Sequence, residues 1–181
     1  MYKKTKNSTH EMTYISLMTA ILCILGPIAI PLGTIPISLT TFILYIMLYI
    51  SKRKSCLLSY SLYLFLGTAG LPVFSGFSGG VVKLAGPTGG YLVGFIFLIF
   101  ISGFFIRPDK NTLFAVIGMT IGALIAYVFG TIWFCIQMQC TIYYALTVCV
   151  FPFLIGDTIK IFLAVKIGPL LRKTLYKANL L

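Results

Sequence analysis

Acidic side chains are almost missing from this chain: Glu11, Asp109 and Asp157 are the only three, against fourteen Lys and Arg. One histidine, His10, stands before the first apolar run. With so few groups, no carboxylate pair, no Ser-His arrangement and no His/Cys metal cluster can be assembled, and the chain reads as a non-enzyme with no cofactor. It also lacks a P-loop Gly-Lys-Ser/Thr, so any ATP hydrolysis linked to its work must come from a partner. Cys23, Cys56, Cys135, Cys140 and Cys149 show neither C-x-x-C spacing nor nearby histidines. They read as packing or lipid-facing residues, with Cys135 and Cys140 spaced for a pair in an external loop. No A-x-A site follows the first apolar run, so a cleaved signal peptide is not expected.

Charge is scarce as well, at 9% of residues beside 59% hydrophobic ones. A soluble domain carries about 25% charged residues. The net charge of +11 is gathered into four clusters: Lys3, Lys4 and Lys6; Lys52, Arg53 and Lys54; Arg107 and Lys110; and Lys166, Arg172, Lys173 and Lys177. None forms a basic face along a helix with interleaved aromatics, so nucleic acid is not an expected partner. Apolar stretches separated by basic loops are instead the pattern of a multi-pass membrane protein, whose cytoplasmic loops collect Lys and Arg.

The expected architecture is an all-α integral membrane protein forming one membrane domain over residues 1–181. Its six spans cover about 13–30, 37–50, 55–71, 91–106, 111–134 and 153–171. Several fall short of the roughly 20 residues of a perpendicular helix, so loops dip into the bilayer or the bundle thins it. With both termini cytoplasmic, all four basic clusters lie on the cytoplasmic side of the membrane. The loops near 31–36, 72–90 and 135–152 then face outward and contain one cation, Lys83.

Those outward loops are rich in helix breakers. Residues 26–36 hold three prolines and two glycines and cannot be continuous helix. Residues 67–94 are apolar and glycine-rich, including Gly79-Gly80 and Gly86-Pro87-Thr88-Gly89-Gly90-Tyr91. Irregular backbone at membrane depth is tolerated where it is buried in protein or lines a cavity. Glycines there, Gly79 and Gly80 among them, would let backbone approach a ligand closely. A glycine-rich connector packed for structural reasons explains the composition equally well.

The last span carries the decisive pair. Asp157 and Lys160 are three residues apart and share a helix face. They follow Pro152 and Gly156, which fit a helix start, so both belong near its outward end. Charges inside a span are costly unless they are paired or bind something. Lys160 and the helix N-terminus favour an anionic ligand group, and Asp157 accepts from ligand N–H groups. A pair that only neutralises itself is the competing explanation, and Lys83 on its own reads as a solvated loop cation.

Gly70-Leu71-Pro72-Val73-Phe74, the 86–91 run, and Pro152-Phe153 followed by Gly156-Asp157 and Lys160 resemble the BioY family in order and spacing. BioY proteins are the biotin-binding S components of energy-coupling factor (ECF) transporters. The resemblance covers almost the whole chain. It implies a six-helix protein that captures biotin in an outward-facing pocket capped by its loops. It also implies a transmembrane T component and two cytoplasmic ATPases as partners. Family binding positions fall on Asp157, Lys160 and Tyr91. Some relatives carry an arginine where this chain has Gly86, and Lys83 is the candidate to replace it.

Docking of a T component implies a stripe of small residues on the first helix, for which Ser16 to Ala20 and Thr19 to Cys23 are the candidates. Ordinary packing within the bundle is the alternative for each. Three other functions remain open: an S component for thiamine or riboflavin, a small-solute pore, and a structural membrane subunit. A pore would need a polar stripe through several spans, which these apolar spans lack.

Overall fold

The computed structural model describes residues 3–30, 36–106 and 111–178, with side chains from Thr9 onward except His10. The side chains of the first basic cluster and the whole of the third, with Asp109, lie outside the described residues, as does most of the 31–36 loop.

The elements run α1 (Lys3–Leu25), β1 (Ala29–Ile30), β2 (Ile37–Ser38), α2 (Thr40–Ile50), α3 (Arg53–Thr68), α4 (Val81–Ala85), α5 (Gly89–Phe105), α6 (Thr112–Met138), α7 (Ile142–Cys149) and α8 (Phe151–Lys177). Helices lie over all six expected segments. Gly26-Pro27 stops α1 early, because proline cannot donate to the preceding turn. The chain then makes a two-residue antiparallel ladder, Ala29 opposite Ser38 and Ile30 opposite Ile37.

The 135–152 region differs from the expected loop. Helix α6 continues to Met138 and stops where Gln139 takes the left-handed conformation at φ 49°. Thr141 then caps α7, its hydroxyl accepting from Tyr144 N at 3.4 Å. Helix α8 follows after a 40° bend, with Pro152 in its first turn where a missing N–H costs nothing. A long apolar stretch interrupted by few turn residues prefers to keep its backbone bonded in helix.

Among the described residues, α6 alone is long and apolar enough to cross a membrane, and α7 with α8 would make a second such span if taken as one broken helix. The outside of the bundle carries large apolar side chains, among them Phe97, Ile132, Ile136, Ile155, Ile159 and Phe162. A surface this apolar needs lipid or protein cover rather than water.

The interior, by contrast, is marked by tyrosines. Tyr45 on α2 donates to Met119 O on α6 at 3.2 Å, Tyr60 on α3 to Leu92 O on α5 at 2.8 Å, and Tyr63 to Val73 O of the following loop at 2.9 Å. All three rings are fully buried. In an apolar surrounding a hydroxyl without a partner is costly, so these bonds fix which helices face each other. Helices α5 and α6 pack most closely, α2 lies against α8, and α1 against α3. Small residues permit the α5–α6 approach: a Cβ at Gly94 would stand 3.1 Å from Ala126 Cα.

The second basic cluster is anchored at the end of α2. Lys52 meets Glu11 at 2.8 Å, and this ammonium holds the Glu11 carboxyl below its ordinary range. The Arg53 guanidinium stacks over Phe104 of α5 at 3.8 Å.

Candidate functional site

Asp157 lies in the second turn of α8 and Lys160 one turn further on, so the i,i+3 spacing brings them onto one inward face. Their side chains meet at 2.8 Å between Lys160 Nζ and Asp157 Oδ1, and both residues are buried, at 6% and 8% exposure. Two further residues complete the cluster. Thr41, in the first turn of α2, donates to Asp157 Oδ1 at 3.3 Å and lies 3.1 Å from Lys160 Nζ. Tyr127 of α6 donates a short hydrogen bond to Asp157 Oδ2. Three helices distant in sequence therefore converge on one carboxylate.

This arrangement answers the cost of burying charge. The pair is neutral as a unit, and hydrogen bonds from neutral hydroxyls occupy both carboxylate oxygens. It leaves capacity over, because an ammonium has three donors and a carboxylate about four acceptor sites. The cluster can therefore both donate to and accept from a ligand.

The cluster forms part of the wall of a cavity that is partly open to solvent. Aromatic rings from four elements supply its apolar wall: Tyr63, Tyr91, Phe95, Tyr127 and Phe153. Ser38 of β2, Ser75 of the loop after α3, Lys83 of α4 and Thr88 at the start of α5 add polar groups.

The expected site residues are not all placed alike. Asp157, Lys160, Tyr91 and Lys83 line the same cavity. Tyr91 contributes its ring, while its hydroxyl bonds Cys149 O at 3.3 Å and stands 3.4 Å from Thr131 Oγ1. Gly130 makes room for that ring, since a Cβ there would come within 2.4 Å of it. Gly79 and Gly80 are not among the lining residues; they shape the loop that bears them. A Cβ on Gly79 would meet Leu71 O at 2.2 Å, and Gly80 has φ +89°. Phe74 of the same loop is fully buried, edge-on to Tyr63 at 5.5 Å. The loop end is tied to α6 where Trp133 Nε1 donates to Gly86 O at 2.9 Å and Gln137 to Ala85 O.

On α1 the two candidate stripes part company. Thr19 is buried and donates to Ile15 O at 2.8 Å and Ser59 O at 3.2 Å, joining α1 to α3. Cys23 is half-buried, whereas Ser16 and Ala20 are exposed.

Thr41, Tyr127 and Thr88 escaped the sequence reading. Thr40-Thr41 opening an otherwise apolar span was the one available hint for the first. Tyr127 is one of eleven tyrosines and had nothing to set it apart.

A helical bundle with an apolar exterior and a charged pair buried beside an aromatic-walled cavity is built as a membrane protein that holds a small molecule. The comparisons with known proteins narrow this. The BioY family model matches residues 1–177, and the chain belongs to the BioY family. It is 33% identical over 171 residues to the biotin transporter BioY2 of Lactococcus lactis subsp. cremoris, covering 94% of each chain. To the biotin transporter BioY of Thermotoga maritima it is 34% identical, over 87% of this chain and 92% of that one. The crystal structure of the S component for biotin from an ECF-type ABC transporter superposes with a TM-score of 0.82 at 31% identity, over 96% of this chain and 95% of that one.

Proposed function

We propose that the chain captures biotin from outside the cell as the substrate-binding S component of an ECF-type transporter. The observation that carries this is the buried Asp157–Lys160 pair, held by Thr41 and Tyr127 in the wall of the cavity. Family membership and the likeness to the biotin S component support the same reading.

The chemistry suits the ligand. Biotin has a ureido head with two N–H donors and one carbonyl, an apolar thiophane and valeryl body, and a carboxylate. Asp157 accepts from the ureido N–H groups, the aromatic wall takes the apolar body, and cations meet the acceptor groups. Asp157, Lys160, Tyr91 and Lys83 are the contacts on this reading, with Gly79 and Gly80 shaping the loop over the cavity.

The finer architecture follows the same proposal. Helices α1, α2, α3, α5, α6 and α8 are the six spans, with both termini cytoplasmic and the glycine-rich loops outward. A T component and two cytoplasmic ATPases supply the energy, and exposed Ser16 and Ala20 offer a close-packing face to the T component.

Isothermal titration of biotin into the detergent-purified chain tests the proposal, with thiamine and riboflavin as controls. Saturable binding of biotin alone is expected. Binding of a control vitamin instead, by a folded sample, would reassign the ligand, and binding of none would favour a structural subunit.

A further inference from the structure

The cavity is lined by two polar sets of residues, or poles, of different electrical character. At one, Lys160 is neutralised by Asp157 at 2.8 Å, so that pole carries no net charge and presents both donors and acceptors. At the other stand Lys83 and Thr88. Lys83 has no ion-pair partner among the described residues. Thr88 is stranger. It occupies the N-cap position of α5, where a threonine hydroxyl ordinarily accepts from the backbone N–H groups of the first turn, yet it makes no such bond. Its Oγ1 is shielded from solvent and has no hydrogen-bond partner among the described residues. A buried hydroxyl left unpaired costs free energy, and a native structure keeps one where something else supplies the partner.

We infer that Thr88 is a specificity residue: its hydroxyl donates to the carboxylate of the bound ligand, alongside the Lys83 ammonium. The inference rests on the function proposed above and deepens it by orienting the ligand. A ureido ring donates and accepts and carries no charge, which matches the neutral Asp157–Lys160–Thr41–Tyr127 pole. A carboxylate only accepts and is anionic, which matches the pole with a donor hydroxyl and the uncompensated cation. The aromatic residues that line the same cavity take the apolar body.

The test is titration of biotin and of its neutral primary amide, biotinamide, into the wild type and into Thr88→Val, Thr88→Ser and Lys83→Ala. The wild type should prefer biotin by about tenfold or more, as expected when a charge-assisted contact is lost. Thr88→Val and Lys83→Ala should lower biotin affinity while leaving biotinamide nearly unchanged, so the preference collapses. Thr88→Ser, which keeps the hydroxyl, should restore it. If Thr88→Val weakens both compounds equally, the hydroxyl has a structural role and the inference fails. If the wild type binds both equally, the two-pole assignment fails while biotin capture stands. If the folded wild type binds neither, the proposed function fails and takes this inference with it.

Discussion

Tyr127 on α6 and Asp157 on α8 share a hydrogen bond inside the bundle, the phenol donating to the carboxylate oxygen that Lys160 does not use. Oδ1 meanwhile receives Lys160 and Thr41. With both oxygens held, the carboxylate plane is fixed relative to the cavity before a ligand arrives. Preorganisation of this kind lowers the ordering cost of binding.

Removing the phenol should therefore weaken binding without removing any charge. In Tyr127→Phe the buried carboxylate loses one neutral donor, a loss of about 1.5–3 kcal/mol for a bond to a charged group. The dissociation constant for biotin should rise by roughly ten- to hundredfold. Titration calorimetry reads this directly. An unchanged constant would mean that Lys160 and Thr41 alone orient Asp157.

The charged partners should matter more. Asp157→Asn leaves Lys160 buried without its counter-ion, and Lys160→Ala does the reverse to Asp157. Losing one member of a desolvated pair costs on the order of 2–5 kcal/mol. Lys177, exposed at the end of α8, is the control, and Lys177→Ala should leave affinity unchanged. Equal affinities across the wild type and all three variants would remove Asp157 and Lys160 from the site.

How much of this was legible beforehand follows from where each signal resides. Asp157 and Lys160 stood out because two opposite charges three apart in an apolar span have few explanations, and helix geometry alone puts them on one face. Their other partners lie 116 and 30 residues away in sequence, on Thr41 and Tyr127, and no local pattern marks such residues. Lys83 by itself read as a loop cation, and only the family resemblance offered it as a second cationic contact; its place in the cavity wall depends on how α4 folds back, which no local pattern marks. Gly79 and Gly80 were legible as unusual but not in their role. Sequence shows that a chain needs glycine, whereas only coordinates show that Gly79 abuts the Leu71 carbonyl. The expected loop at 135–152 was what remained between the fifth and sixth spans, whereas the chain stays helical there, with α6 ended at Gln139 and α7 opened by the Thr141 cap.

Gly130 supplies a prediction about packing rather than charge. A Cβ there would approach within 2.4 Å of the Tyr91 ring, which is itself pinned through its hydroxyl to Cys149 O. The ring cannot swing aside without releasing that bond. Overpacking of this kind typically costs about 1–3 kcal/mol. Gly130→Ala should lower thermal stability in detergent and distort the cavity wall, weakening biotin binding. Ligand affinity at the wild-type level would show that Tyr91 is not part of the binding surface.

The exposed face of α1 yields a prediction that separates capture from transport. Ser16 and Ala20 lie one turn apart and both are exposed, while Thr19 is committed to α3 through its bond to Ser59 O. Large side chains on the exposed pair would therefore leave the bundle and its cavity intact and obstruct a helix that packs closely from outside. The double variant Ser16→Leu with Ala20→Leu should bind biotin in detergent as the wild type does, yet fail to take up labelled biotin in cells that express the T component and ATPases. Thr19→Leu should behave in the opposite way, destabilising the bundle itself through loss of the Ser59 contact and a clash at α3. Normal uptake by the double leucine variant would place the partner on another surface, because no close helix–helix contact tolerates two added leucines at its centre.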